Sequence, residues 1–160
     1  MIRIAILGAS GRMGRALIRL IAAADDLVLV GATARPGSDA DGLDAGTLAG
    51  CGALDVGVTA SAAAAFEGAD VAIDFTLPAA LPGNLAAAMA AGCPLVIGTT
   101  GIDTEGSGAI DAAAASVPIV YAANYSSGVT LLQRLVRTAA AALDSDYDVE
   151  IVEAHHRYKR

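Results

Sequence analysis

The chain of 160 residues has no tryptophan, only two cysteines, only two histidines, and charged side chains at 17% of positions. Each shortage excludes something. Cys51 and Cys93 are far apart, form no Cys-x-x-Cys pattern and have no companion histidine, which excludes a disulfide scaffold or a zinc ribbon and leaves two reduced small hydrophobes of a cytoplasmic protein. His155 and His156 are adjacent. On an extended segment they point to opposite faces, so they are poorly placed to share one metal ion, and no metal site is expected. Cations are short by seven charges, which argues against a general nucleic-acid or anionic-membrane surface, since such partners are held by many lysines and arginines. No cationic leader precedes Met1-Ile2, and no apolar stretch reaches the roughly 20 uninterrupted residues that span a bilayer. A soluble, unexported, cytoplasmic protein is the expectation.

What is present is a single-domain length of chain dominated by alanine, valine, leucine and isoleucine, with 55% hydrophobic residues. That composition suits an α/β protein whose sheet is covered on both faces. The rest is organised around residues 1–14. Ile2, Ile4, Ala5, Ile6 and Leu7 form an apolar run of strand length, and it ends in Gly8-Ala9-Ser10-Gly11-Arg12-Met13-Gly14. Residues 12–24 then place Met13, Leu17, Leu20 and Ile21 at helical spacing between arginines. A strand, a Gly-x-x-Gly-x-x-Gly turn and a helix make a dinucleotide-binding start: glycines let the backbone bend and approach a pyrophosphate, whose charge meets unpaired N–H groups at the positive end of the helix dipole. The plain alternative is a tight strand-to-helix turn without a ligand, and the flanking strand and helix favour the binding reading.

Further along, residues 27–34 read as a second buried strand ending at Arg35-Pro36-Gly37-Ser38. Residues 35–60 read as a long loop with helical turns around 43–48. A short helix over 61–67 is capped by Ser61, residues 70–75 form a third strand ending in Thr76, and 77–91 form a helix in which Pro78 and Pro82 are tolerable only in the first turn. Gly92 stops that helix. Residues 95–98 are a fourth strand, 103–115 a helix, 118–121 a fifth strand, and 127–143 a strongly amphipathic helix. Alternation at this spacing implies right-handed crossovers and a Rossmann-type, doubly wound parallel sheet, with ligands bound at the carboxyl ends of its strands. Residues 147–154 have the period of two expected of a strand but break the alternation. The nucleotide domain is therefore placed at 1–126, and 127–160 begins a second, α+β domain.

The motifs Gly8-Ala9-Ser10-Gly11-Arg12-Met13-Gly14, Val71-Ala72-Ile73-Asp74-Phe75-Thr76, Val96-Ile97-Gly98-Thr99-Thr100-Gly101, Ala123-Asn124-Tyr125-Ser126 and Glu153-Ala154-His155-His156-Arg157-Tyr158-Lys159 resemble, in that order and spacing, the 4-hydroxy-tetrahydrodipicolinate reductases of the diaminopimelate route to lysine. The resemblance implies NAD(P)H-dependent reduction of a cyclic dicarboxylic imine precursor by a homotetramer. It implies that Gly8, Ala9, Ser10, Gly11, Arg12 and Met13 hold the pyrophosphate, that Ala34 and Arg35 flank the adenosine ribose, and that Gly98, Thr99, Thr100, Ala122, Ala123, Asn124 and Tyr125 lie along the nicotinamide half. It further implies that His155 and Lys159 handle protons and that His156 contacts substrate. Family members commonly carry an acid where Ala34 stands, and they continue into a substrate loop and the rest of the second domain, which these 160 residues do not include. Ala34 beside Arg35, with Arg12 in the turn, points to NADPH as the preferred cofactor and NADH as a possible one. Two other readings share the fold: a nucleotide-binding module without catalysis, and another Rossmann oxidoreductase such as a homoserine or semialdehyde dehydrogenase. The latter needs a nucleophilic cysteine at a strand end, where neither Cys51 nor Cys93 stands.

Overall fold

Strand β1, Ile2–Leu7, is the middle of the molecule because nearly every side chain in it wants burial. Side chains alternate across a strand, so Ala5 and Leu7 enter one apolar cluster while Ile4 and Ile6 enter another on the opposite face. A strand buried on both faces belongs in a parallel sheet with helices on either side. The computed structural model, which describes residues 1–143, 146–152 and 154, shows that arrangement. Around β1 are β2 (Leu27–Thr33), β3 (Val58–Thr59), β4 (Val71–Asp74), β5 (Leu95–Ile97) and β6 (Ile119–Tyr121), in the order β3-β2-β1-β4-β5-β6 with every pairing parallel. The helices are α1 (Arg12–Ala22), α2 (Ala45–Ala49), α3 (Ala62–Ala65), α4 (Leu81–Ala91), α5 (Thr104–Ala114) and α6 (Ser127–Ala142). Residues of α1 and α2 join the cluster around Ile4 and Ile6, and residues of α3, α4 and α5 join the one around Ala5 and Leu7. This is the Rossmann-type sheet that the alternation implies.

Several boundaries differ from expectation, each for a local reason. Helix α1 buries Gly14, Ile18 and Ile21, with Leu17 partly buried, while Met13 and Leu20 are exposed. The inward stripe is set by Gly14, where an added Cβ would stand 2.2 Å from the Gly8 carbonyl oxygen. Spacing from 14 through 17, 18 and 21 then follows the helix period and leaves 13 and 20 outside. Residues 35–60 are not one loop. They hold α2 and the two-residue β3, tied by the Asp44 carboxylate, which accepts hydrogen bonds from the backbone N–H groups of Thr47, Leu54 and Val56. These donors hold that carboxyl below the usual carboxylate range. The helix expected over 77–91 starts with a 3-10 turn at Pro78–Ala80 and becomes α-helical at Leu81, which leaves Pro82 in a first turn that has no use for its missing N–H.

The chain divides into two compact units, Met1–Ala123 and Asn124–Arg160. In the second, α6 is capped by the Ser126 hydroxyl, which accepts from the Val129 N–H. No residue of α6 is buried. The strand expected over 147–154 is not found at residues 147–152, which carry no regular secondary structure. A strand must pair its N–H and C=O groups to persist, and none of the sheet pairings of the described residues involves this segment. Glu153 and residues 155–160 lie outside the described residues.

Candidate functional site

The glycine turn is built by the end of β2. The N–H groups of Gly8 and Ala9 donate to the Thr33 carbonyl at 3.1 and 2.7 Å, and Gly8 N–H also reaches the Thr33 hydroxyl at 3.3 Å. Gly8 has φ +86, a left-handed conformation that favours glycine. The close approach at Gly14 lets α1 start directly against the turn, and Gly11 stands at its N-cap, where no side-chain hydrogen bond closes the first helical turn. The Arg15 guanidinium secures the loop by donating to the Ser10 carbonyl at 3.2 Å. A helix N-terminus opened by residues without capping side chains leaves backbone donors to an anion.

Beside this turn lies a cavity of about 620 Å³, walled by Gly8, Ser10 and Gly11 on one side, by Thr33, Ala34, Arg35, Pro36 and Ser38 on another, and by Phe75, Thr76, Leu77 and Asn84 on a third. The volume falls in the range of small-molecule and cofactor sites. The Arg35–Ser38 segment is a tight turn: Ser38 N–H donates to the Arg35 carbonyl at 3.1 Å, Pro36 supplies a preset φ, and Gly37 has φ +68. Ser38 Oγ is buried without a hydrogen-bond partner, an orphaned polar atom in the cavity wall. No acid stands among the residues of β2's end that line the cavity, where Ala34 is buried and Arg35 exposed.

Of the residues singled out in the sequence, Gly8, Ser10, Gly11, Ala34 and Arg35 meet around one cavity. Ala9 is buried behind the turn, and Arg12 and Met13 open α1 as exposed side chains. Gly98 and Thr99 follow β5 and are buried, whereas Thr100 is exposed. Gly98 backs onto the Phe75 ring, where an added Cβ would stand 2.2 Å from a ring carbon. Ala122 is joined to β5 by its N–H bond to the Ile97 carbonyl at 3.2 Å. Ala123 ends the first unit, and Asn124 and Tyr125 open the second. His155, His156 and Lys159 lie outside the described residues.

Sequence reasoning passed over Ser38, Phe75 and Asn84, and it passed over what Asp74 does. Asp74 is fully buried at the end of β4, and its carboxylate accepts from Thr76 N–H and Oγ1–H and from Asn84 Nδ2. An acid closing an otherwise apolar strand is a legible signal, but its partners come from two separate loops and a helix. Neither cysteine lines the cavity. Cys93 belongs to the core, and burial pushes its thiol pKa up. Cys51 is exposed on the loop after α2. Among the described residues no group of three or more His, Cys, Asp or Glu is arranged to hold a metal ion, and no helix is long and apolar enough to cross a membrane.

The parallel sheet, the strand order and the cleft at the carboxyl ends of β1, β2 and β4 define a Rossmann-type α/β protein. Residues 2–125 match the family described as dihydrodipicolinate reductase, N-terminus, and residues 128–160 match dihydrodipicolinate reductase, C-terminus. The chain belongs to the dihydrodipicolinate reductase family. It is 54% identical over 98% of its length to a 4-hydroxy-tetrahydrodipicolinate reductase of Alkalilimnicola ehrlichii, and 52% identical over 99% to one of Thiobacillus denitrificans. It spans about 59% of the length of each of these curated relatives. Among solved structures, the dipicolinate-bound dihydrodipicolinate reductase from Paenisporosarcina sp. TG-14 shares the fold with a TM-score of 0.68 at 24% identity, over 88% of this chain and 54% of that one. An amine dehydrogenase from Mycobacterium smegmatis is similar with a TM-score of 0.59 at 25% identity, over 74% of this chain and 37% of that one.

Proposed function

We propose that the cavity binds NADPH in preference to NADH and that the chain is the nucleotide-binding portion, 1–126, and the beginning of the substrate domain, 127–160, of a 4-hydroxy-tetrahydrodipicolinate reductase. The observation that carries the cofactor reading is the convergence of the Gly8–Gly11 turn with Ala34 and Arg35 on one cavity. The turn offers backbone donors to a pyrophosphate at a helix N-terminus. Ala34 neither bonds a ribose 2′-hydroxyl nor repels a 2′-phosphate, and Arg35 is a guanidinium suited to bond that phosphate bidentately. The orphaned Ser38 Oγ fits the same group, because a buried hydroxyl without a partner gains one when a ribose phosphate enters.

Bound NAD(P)H supplies the hydride for reduction. The chain's own groups bind and orient: Gly98, Thr99, Thr100, Ala122, Ala123, Asn124 and Tyr125 are proposed to lie along the nicotinamide half. His155 and Lys159 are proposed to hold and deliver the proton that quenches the reduced carbon–nitrogen system, and His156 to contact a carboxylate of the cyclic imine precursor. The high identity to named reductases supports this assignment. A homo-oligomer, tetrameric in the family, and a cytoplasmic location complete the reading. A semialdehyde-dehydrogenase-like alternative loses support from the cysteines, one held in the core and the other on the loop after α2, neither in the cavity wall.

Calorimetric titration with NADPH and NADH at matched ionic strength tests the cofactor assignment. If Arg35 contributes about 1.5–3 kcal/mol of differential binding, NADPH should bind roughly ten- to a hundred-fold tighter. Arg35→Ala should erase most of that preference, and Ala34→Glu should move it toward NADH. Equal or tighter NADH binding by the unmodified chain refutes the reading of Ala34 and Arg35.

A further inference from the structure

Asp74 is a carboxylate with 0% relative exposure, and every group that holds it is neutral. Its Oδ1 accepts from Thr76 N–H at 2.7 Å and from Thr76 Oγ1–H at 2.6 Å, with Thr99 Oγ1 at 3.4 Å. Its Oδ2 accepts from Asn84 Nδ2 at 2.8 Å. The partners are bound to one another as well: Asn84 Nδ2 reaches Thr76 Oγ1 at 3.2 Å, and Thr99 Oγ1–H donates to the Thr76 carbonyl at 3.1 Å. In register, Asp74 stands between Leu7 of β1 and Ile97 of β5, both fully buried. Packing alone would be served in that row by a third aliphatic side chain. A buried charge is costly unless hydrogen bonds repay it, so its presence is explained by what it holds.

What it holds is the far wall of the cleft. Thr76 and Asn84 line the cavity, and Thr99 lies in the Gly98-Thr99-Thr100 segment after β5. Two of the donors, the Thr76 N–H and the Asn84 amide nitrogen, can only donate, so position 74 must present an acceptor to both at once. With the Asn84 nitrogen turned toward 74 and also held by Thr76 Oγ1, a carboxylate can do this and an amide cannot. We infer that Asp74 is a positioning residue for the dinucleotide: it fixes Thr76, Asn84 and Thr99 as one wall while its own charge stays behind two neutral side chains. This rests on the cofactor reading above.

The test uses two variants, with NADPH affinity measured by calorimetry and fold by circular dichroism and thermal unfolding. Asp74→Asn, matched in size, loses one acceptor and should bind NADPH at least ten-fold more weakly. Combining Asp74→Asn with Asn84→Asp exchanges the two groups: the amide now at 74 accepts from Thr76 through its oxygen and donates to the carboxylate now at 84. Thermal stability should recover toward that of the unmodified chain. NADPH affinity should not, because the negative charge has moved onto the cleft wall, and the deficit relative to the unmodified chain at the same ionic strength should shrink as salt screens that charge. Recovery of affinity together with stability would show that where the charge sits does not matter to the cleft, and that result overturns the inference. So does binding by Asp74→Asn within two-fold of the unmodified chain, or failure of the exchanged chain to fold, since either shows that the donor–acceptor pattern is not what Asp74 supplies. If the unmodified chain binds neither NADPH nor NADH, the cofactor reading itself fails; if it binds and Asp74→Asn binds as well, only this inference does.

Discussion

Helices α1 and α6 carry the same kind of pattern and meet different fates. Both space apolar residues for one face, yet α1 buries Gly14, Ile18 and Ile21, whereas Leu131, Leu132, Leu135 and Val136 of α6 are 48–59% exposed. Helix α1 is the crossover between two paired strands, β1 and β2, and such a connection packs its helix back onto the sheet. Helix α6 follows β6, the last strand, and no described residue after it joins the sheet. An apolar stripe therefore states that a helix needs a partner without saying which. In most of the first unit the neighbouring strands supply it.

The strongest way to break this comparison is to truncate one side chain on each side of it. Ile18→Ala, on the inward face of α1 and fully buried, should cost about 2–5 kcal/mol in urea unfolding. Leu132→Ala should stay within about 0.5 kcal/mol. A loss above about 1 kcal/mol at Leu132 would mean that α6 has a packing partner and that the contrast is false. The glycines sharpen the same point. Gly14→Ala drives a Cβ against the Gly8 carbonyl and the Ala9 Cα and should cost about 1–3 kcal/mol, whereas Gly83→Ala, in α4 with nothing within 4 Å, should stabilise the chain by about 0.4–1 kcal/mol. Destabilisation at both positions would remove close approach as the reason for Gly14.

The smallest effect should come from the surface. The Arg3 guanidinium, 2.7 Å from Asp70, and the Arg3 N–H hold the Asp70 carboxyl at about 2. Its folded pKa is below that of the unfolded chain, so the unfolded state binds the proton first on acidification. The contribution is complete above about pH 4, near the ordinary carboxylate value, and is lost as pH falls through about 2. Both side chains are half-exposed, so salt should weaken the effect. Melting temperatures between pH 2 and pH 5 should show a shallower acid limb in Asp70→Asn, with the difference shrinking in 0.5 M salt as expected once the Debye length is only a few ångströms. Identical acid limbs would dismiss the pair as a stabilising contact.

The strands of the first unit were largely legible, because β1, β2, β4 and β5 are apolar runs punctuated by glycine, aspartate or proline. The glycine turn was legible for the same reason, with its chemistry in adjacent residues. What could not be read was assembled at a distance. Strand β3 has two residues and exists because β2 lies beside it. The segment around α2 is shaped by Asp44 reaching Leu54 and Val56, ten and twelve residues on, which no local period records. Ser38 and Asn84 enter the cavity wall through turns and crossovers, so neither looked unusual in its own stretch of chain. At the other end, a period of two at residues 147–152 was not enough to make a strand, and no sheet pairing among the described residues involves them.

The strand order has a consequence in time. Of these six strands the earliest to leave the ribosome is an inner one, and synthesis then adds β2 and β3 on one side before β4, β5 and β6 extend the other. Each addition after β1 joins a neighbour already present, so growth outward keeps the ordering of each new segment local. Until residues 71–74 emerge, however, the edge of β1 that pairs with β4, from Ile4 to Leu7, has no strand to cover it. Such an open apolar edge is a template for joining another chain. A nascent polypeptide exposed only as far as the sixties is thus the species most prone to self-association, and one whose residues 71–74 have emerged can close that edge.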